Sequence, residues 1–184
     1  MSVDKLYLTP DSIQKDSYLL ASRVVKSGFR PDFMVALWRG GSIPACYLHE
    51  FLKYSGIQTD HIAIRTSRYT GIDETSSQIA VHNLGYLVEH LQKDSKVLLV
   101  DDVFDSGLSI EAVKSTLREK LGDRTPDDIR VACVYYKPLR SKTAMVPDYY
   151  MYSTNAWIVF PHELEGMSLE EIAEHRGQIV ADAV

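Results

Sequence analysis

The sequence predicts an α/β fold built on a mostly parallel central sheet, and three observations carry that expectation. Helical and extended patterns alternate along most of the chain, the order in which crossover helices join parallel strands. The extended segments are apolar almost throughout, as in PDFMVALW, KVLLV and IRVACVYY, and strands buried on both faces read that way. The 184 residues suit one domain with a sizeable core.

Taken in order, Thr9 or Asp11 can cap a first helix with Pro10 near its start; Ile13, Leu19, Leu20, Val24 and Val25 give it an apolar face and Gly28 stops it. PDFMVALW is a strand, and RGGSIPACYLHEFLKYSG is a loop leading into a helix with Ser42 as N-cap and Gly56 as stop. A strand is expected over about 59–65. The segment TSRYTGIDETSS that follows is polar and has almost no apolar periodicity. So long a connection in a compact domain is usually a lid or a binding loop. Gln78–His82 reads as a short strand, Leu84–Leu91 as a short helix, and Ile129–Tyr136 as another buried strand. Asp148–Tyr152 is extended, AWIVFP is a short strand stopped by Pro161, and the capping box Ser168-x-x-Glu171 opens a C-terminal helix over 168–183. These last pieces leave the alternation. They predict a small hood, about 137–165 plus the C-terminal helix, over a core of about 1–136 within a single domain.

The stretch that organises the rest is KVLLVDDVFDSGLS, from Lys96 to Ser109. Val97–Val100 is a buried strand, and Asp101 and Asp102 stand where that strand should end. The chain then turns through Asp105, Ser106 and Gly107 into a helix whose apolar positions are 110, 113, 117 and 121. The first backbone N–H groups of a helix have no intrahelical partner, so a strand–loop–helix corner of this kind is a ready anion site. Ser106 and Ser109 add hydroxyl donors. The Gly-x-x-x-x-Gly-Lys-Ser/Thr pattern of a P-loop is absent. Ligands of open α/β sheets sit at the carboxyl ends of the strands, where Asp101 and Arg39 both fall.

Composition bounds the partners. Hydrophobic residues at 45% and charged residues at 24% are ordinary for a soluble globular protein, and the net charge of −5 argues against bulk nucleic-acid binding. An anionic substrate must therefore be held by local devices: helix N-termini, a few Arg and Lys side chains, and a divalent cation. No apolar run approaches a membrane span and MSVDKLYLTPDS lacks the apolar core of a signal peptide, so a cytoplasmic protein is expected. Cys46 and Cys133 sit in apolar patterns and read as reduced core residues.

With its two acids, two apolar residues and Asp-Ser-Gly-x-Ser, Asp101–Ser109 resembles the phosphoribosyl-diphosphate (PRPP) signature of type I phosphoribosyltransferases, with serine at both threonine positions. Three further stretches extend the resemblance to the purine-salvage branch, over about Phe33–Glu163. Arg39-Gly40-Gly41 matches the pyrophosphate loop of xanthine–guanine enzymes. Ser67 and Tyr69, here separated by Arg68, lie where related enzymes have a mobile flap. Lys137, followed about twenty residues later by AWIVFPHE, is similar to the base-recognition half, with His162 and Glu163 in the last two places.

The resemblance implies the type I phosphoribosyltransferase fold, PRPP and a purine base as partners, Mg2+ as cofactor, and a homo-oligomer, dimer or tetramer. It implies Asp101 and Asp102 on the ribose hydroxyls, and Asp105, Ser106, Gly107, Leu108 and Ser109 around the 5′-phosphate. Asp105 is then the general acid/base at the purine N7. Arg39, Gly40 and Gly41 hold pyrophosphate, Lys137 donates to the purine O6, Trp157 stacks on the base, and Ile158 meets the ring edge through its backbone. At C2, His162 or Arg140 is a donor for a 2-oxo group. Glu163 joins Asp101 and Asp102 as a metal ligand through water. A non-catalytic PRPP-binding regulator and an enzyme for adenine or a pyrimidine are the alternatives. A structural α/β domain without a small-molecule site is a third.

Overall fold

The structure, a computed structural model, describes residues 5–68 and 79–184. In chain order the elements are β1 (Lys5–Tyr7), α1 (Pro10–Lys26), β2 (Phe33–Trp38), α2 (Ser42–Tyr54), β3 (Asp60–Arg68), β4 (Ile79–His82), α3 (Gly85–His90), β5 (Lys96–Phe104), α4 (Leu108–Leu121), β6 (Asp128–Tyr136), β7 (Tyr149–Ser153), β8 (Trp157–Val159), α5 (Leu169–Arg176) and α6 (Gln178–Ala181). A six-stranded sheet runs β4-β3-β2-β5-β6-β7, and a two-stranded one pairs β1 with β8. Every pairing in the large sheet is parallel except β3 with the edge strand β4. The predicted α/β architecture is the observed one.

Strand alternation builds two cores, one on each face. Leu98 and Val100 of β5 join Met34, Ala36, Ala132 and Val134 beneath α1 and α2. Val97 and Leu99 point the other way, with Val35, Leu37, Val131 and Cys133, against α3 and α4. Burying each such side chain is worth about 1.5–3 kcal/mol, and β5 contributes four wholly buried ones in a row. That strand is the most secure place in the molecule from which to project polar groups. Among the described residues no helix is long and apolar enough to cross a membrane.

Several boundaries differ from expectation for identifiable reasons. Thr9 caps α1 in a capping box with Ser12, whereas Leu19 turns outward and is exposed. Helix α2 has Gly41, not Ser42, at its N-cap and no side-chain cap. Cys46 is exposed, since α2 buries Pro44, Ala45, Leu48 and Leu52; Cys133 is buried, and both thiols are free. The C-terminal helix breaks at Gly177 (φ +100°) into α5 and α6. Lys5–Tyr7, too polar to read as a strand, is one because β8 offers it a parallel partner, with Leu6 opposite Ile158. The start of the chain, counted with the core in the sequence division, thus pairs with hood residues.

Candidate active site

The site opens where β2 parts from β5 while still pairing with β3. Its pairing with β5 ends at Ala36 opposite Val100, but β5 does not end there. It continues beside β6 through Phe104, opposite Tyr136, so Asp101 and Asp102 lie within the strand and not at its end as the sequence suggested. The chain carries them past the last apolar residue because β6 still offers hydrogen-bonding partners.

Successive strand residues face opposite ways, and the two acids diverge accordingly. Asp101 lines a small pocket of about 70 Å³ with Phe104, Asp105, Ser106, Gly107, Ser109 and Ile110. Asp102 is buried toward the other side, where its Oδ1 accepts the Val103 N–H at 2.7 Å and its Oδ2 lies 3.5 Å from His162 Nε2. Burial, and after it the charge of Asp102, pushes the Asp101 carboxyl well above its usual range. Burial is also the main cause that pushes Asp102 up to about 6, with Glu163 adding repulsion.

The 70 Å³ pocket has the build of an anion cradle. Gly107 sits in the left-handed region (φ +77°) at the N-cap of α4, and no side chain caps the helix. The first intrahelical bond of the turn is Glu111 N–H to Gly107 C=O at 3.0 Å. Of the amides before it, Leu108 N–H reaches Ser106 Oγ at 3.4 Å, the others have no partner within the helix, and the helix end favours negative charge. A Cβ on Gly107 would stand 2.6 Å from Thr143 Oγ1 and 2.7 Å from Phe104 Cζ. The segment around Thr143 therefore backs this loop, and Lys142 N–H binds Ser106 C=O at 2.9 Å. No periodic signal in 137–147 marks this segment.

Arg39, Gly40 and Gly41 form the second loop, and the Trp38–Arg39 peptide is cis. Both glycines are required by close approach. A Cβ on Gly40 would lie 2.1 Å from Asp102 Oδ2, and one on Gly41 would lie 2.3 Å from Val100 O. The loop is thus pressed against the acid pair, while Arg39 is exposed.

Asp105 extends from the cradle to a pair of cations. Arg140 Nε donates to its Oδ1 at 2.7 Å, and Lys137 Nζ lies 3.7 Å from Oδ2. Lys137 is only 5% exposed, and burial lowers its ammonium below the usual lysine range against the opposing pull of Asp105. The Lys137 N–H binds Phe104 C=O at 2.9 Å, which fixes this lysine beside the end of β5. Arg140, a C2 candidate on sequence, is engaged at Asp105 instead.

Trp157 stands 53% exposed and shares a cavity of about 320 Å³ with Arg39, Ile158, Val159, Glu163 and Met167. Its indole is left half in solvent at this cavity, not covered as a core tryptophan would be. The Ile158 side chain is buried. His162, expected near the base, makes its contacts elsewhere: Asp102, and the Phe160 ring at 5.6 Å in a stacked arrangement. Burial lowers its imidazole below the ordinary histidine range, opposed by Glu163 and aided by Arg39 and Arg176. Glu163 Oε2 accepts the Phe160 N–H at 3.0 Å while its own N–H binds Phe160 C=O. Among the described residues, no three His, Cys, Asp or Glu side chains converge as a metal cage.

Ser67 and Arg68 belong to β3, which outruns β2 and pairs with β4 alone, Ser67 opposite Ala80 and Arg68 opposite Ile79. The polar stretch read as a loop from Thr66 therefore begins as a hairpin, polar because β2 ends at Trp38, opposite Arg65, and leaves it less covered. Ser67 Oγ lies 2.9 Å from His82 Nε2. Tyr69 lies outside the described residues.

The phosphoribosyl transferase domain family matches residues 2–167. Xanthine phosphoribosyltransferase 1 of Saccharomyces cerevisiae is 25% identical over 200 residues, covering 94% of this chain and 93% of that protein. The purine phosphoribosyltransferase from Pyrococcus horikoshii Ot3 is 31% identical, with a TM-score of 0.69 over 90% of this chain and 98% of its own. A hypothetical protein from Neisseria gonorrhoeae, solved with bound ppGpp, is 26% identical with a TM-score of 0.73 over 100% of this chain and 98% of its own. With an anion cradle, a glycine loop against two buried acids and a match across most of its length, this chain belongs to the phosphoribosyltransferase family, in its type I, purine-salvage branch.

Proposed function

We propose that this protein transfers the 5-phosphoribosyl group of PRPP to a 6-oxopurine, giving the nucleoside 5′-monophosphate and pyrophosphate. The observation that carries the choice of base is Lys137, a buried ammonium 3.7 Å from Asp105. An ammonium only donates. It satisfies a 6-oxo oxygen, whereas the amine of adenine would meet it donor to donor. Unpaired polar groups in such a site discriminate by about 10⁴–10⁵.

In this reading the amides and hydroxyls of Ser106–Ser109 hold the 5′-phosphate, and Arg39 with the Gly40 and Gly41 backbone holds the leaving pyrophosphate. Asp101 and Asp102 accept from the ribose hydroxyls, and their charge favours the sugar as it turns cationic. Asp105 exchanges the purine N7 proton, and Trp157 covers one face of the base. Hard carboxylate oxygens at Asp101 and Asp102 suit Mg2+ completed by water and substrate oxygens, and the ion, when bound, neutralises the leaving group. Glu163 faces the same region with one oxygen engaged on Phe160. With Arg140 and His162 occupied at Asp105 and Asp102, guanine and hypoxanthine are favoured over xanthine.

The deciding experiment is a spectrophotometric panel of hypoxanthine, guanine, xanthine, adenine and uracil with PRPP, with and without magnesium. A 6-oxopurine is expected to have the highest kcat/KM, and turnover is expected to need the metal. Adenine or uracil as best substrate overturns the Lys137 argument, and no turnover with any base leaves a PRPP-binding regulator. A second reading, inhibition by a guanine nucleotide bearing two diphosphates, draws support from the ppGpp held by the Neisseria gonorrhoeae protein.

A further inference from the structure

Helix α5 reaches the acid pair through a single turn of chain. Arg176, at the end of α5, donates from Nη2 to Phe160 C=O at 2.8 Å. That carbonyl begins the turn whose third residue, His162, places Nε2 3.5 Å from Asp102 Oδ2. The other Asp102 oxygen is already fixed on its own strand by the Val103 N–H at 2.7 Å, and Gly40 packs closely against the carboxylate. His162 is thus the one described side chain in ion-pair contact with the Asp102 carboxylate.

Two buried polar atoms in this region lack a protein partner: Arg176 Nε and His162 Nδ1. Every arginine nitrogen donates, and a neutral imidazole has one donor and one acceptor. Arg176 Nε–H calls for an acceptor, and a water that supplies one can either donate to or accept from Nδ1. The opposite end of the ring sets the tautomer, because a carboxylate only accepts and so Nε2 must carry the hydrogen to donate to Asp102.

We propose that His162 and Arg176 are positioning residues for Asp102: Arg176 holds the 160–163 turn, and His162, placed by that turn, donates from Nε2–H to Asp102 Oδ2 so that this carboxylate meets the ribose in a fixed orientation. The proposal deepens the phosphoribosyl-transfer reading above and rests on it for the role of Asp102. It moves His162 from the base to the sugar, and it gives the C-terminal helix a part in the site. Groups that orient a functional side chain from behind typically change activity by about 10–100-fold when removed.

The test uses the full chain and has one readout that needs no activity. In ¹⁵N-histidine NMR of the unliganded protein, with His162 assigned from its loss in His162→Gln, the bare-Nδ1, Nε2–H pattern is expected. In Arg176→Met, which keeps the bulk, that pattern should give way to exchange between tautomers; Arg176→Lys should retain it in part. A wild-type Nδ1–H pattern, or a pattern untouched by Arg176→Met, overturns the proposal. In turnover, His162→Phe should lower kcat about tenfold with the KM of the base unchanged, and His162→Gln, whose amide can still donate to Asp102, should recover part of it. A raised KM for the base with kcat preserved would return His162 to base recognition. Failure of the wild type to turn over would overturn the functional reading, while the NMR arms still decide the tautomer.

Discussion

Asp105 meets two cations, Arg140 Nε at 2.7 Å and Lys137 Nζ at 3.7 Å, and these contacts govern what its replacement does. Asp105→Asn keeps the shape and removes the proton acceptor. It is expected to lower kcat about 10²–10⁴-fold and to leave the KM for PRPP near wild type, as measured by steady-state kinetics. A wild-type rate across the pH range would make Asp105 only a counter-ion for Lys137 and Arg140. Gly40 tests the opposite loop. Because its missing Cβ would lie 2.1 Å from Asp102 Oδ2, Gly40→Ala must displace either the loop or the carboxylate. A displacement on the ångström scale costs about 10²-fold in rate, so kcat/KM for PRPP should fall by that order. The core beneath, carried by Leu98 and Leu99, is untouched, so the melting temperature should barely move. An equal loss of stability and activity would mean that the loop is a structural support and not a substrate clamp.

At the scale of elements, the hood is tied to the beginning of the chain by one acid on α5. Glu171 Oε1 accepts from Lys5 Nζ at 2.6 Å and from the Tyr7 hydroxyl, and Tyr7 stacks on His175 with centroids 3.7 Å apart. The lysine and tyrosine hydrogen bonds hold the Glu171 carboxyl down to about 2 from its ordinary 4.5. A depressed folded pKa contributes stability that is complete above the unfolded value and lost as pH falls through the folded one. Glu171→Gln should therefore melt below wild type at neutral pH. The gap should begin to close near pH 4.5 and vanish by about pH 2. Thermal melts across that range check it, and a gap that does not change with pH would assign the effect to lost packing.

At the scale of the whole molecule, the two anion-holding loops come from different strands, after β2 and after β5, and only the parallel pairing of Phe33–Ala36 with Val97–Val100 brings them to one edge. A nucleotide with phosphates at both ends of its sugar would span them as PRPP is proposed to. ppGpp is accordingly expected to inhibit turnover competitively with PRPP, as initial rates at several PRPP concentrations would reveal. Inhibition that PRPP does not relieve would mean a separate site.

The architecture and the cradle were legible in the sequence because both are local. Val97–Val100, the acids, Asp105-Ser106-Gly107 and the 110, 113, 117, 121 periodicity lie in one continuous stretch, and each residue type there has a short-range reason to be where it is. So too do Thr9 and Ser168 at their capping boxes. What depends on partners distant in sequence was not legible. That β5 runs on to Phe104 depends on β6, that Ser67 and Arg68 are strand depends on β4, and that Lys5–Tyr7 is a strand depends on β8. Spacing placed His162 in the right segment but not against Asp102, since spacing fixes distance along the chain and not the direction in which a turn aims its side chain. Arg176 gave no signal at all. Its carbonyl partner is sixteen residues away, and a cation near a helix C-terminus reads the same whether it faces water or holds the turn behind an active site.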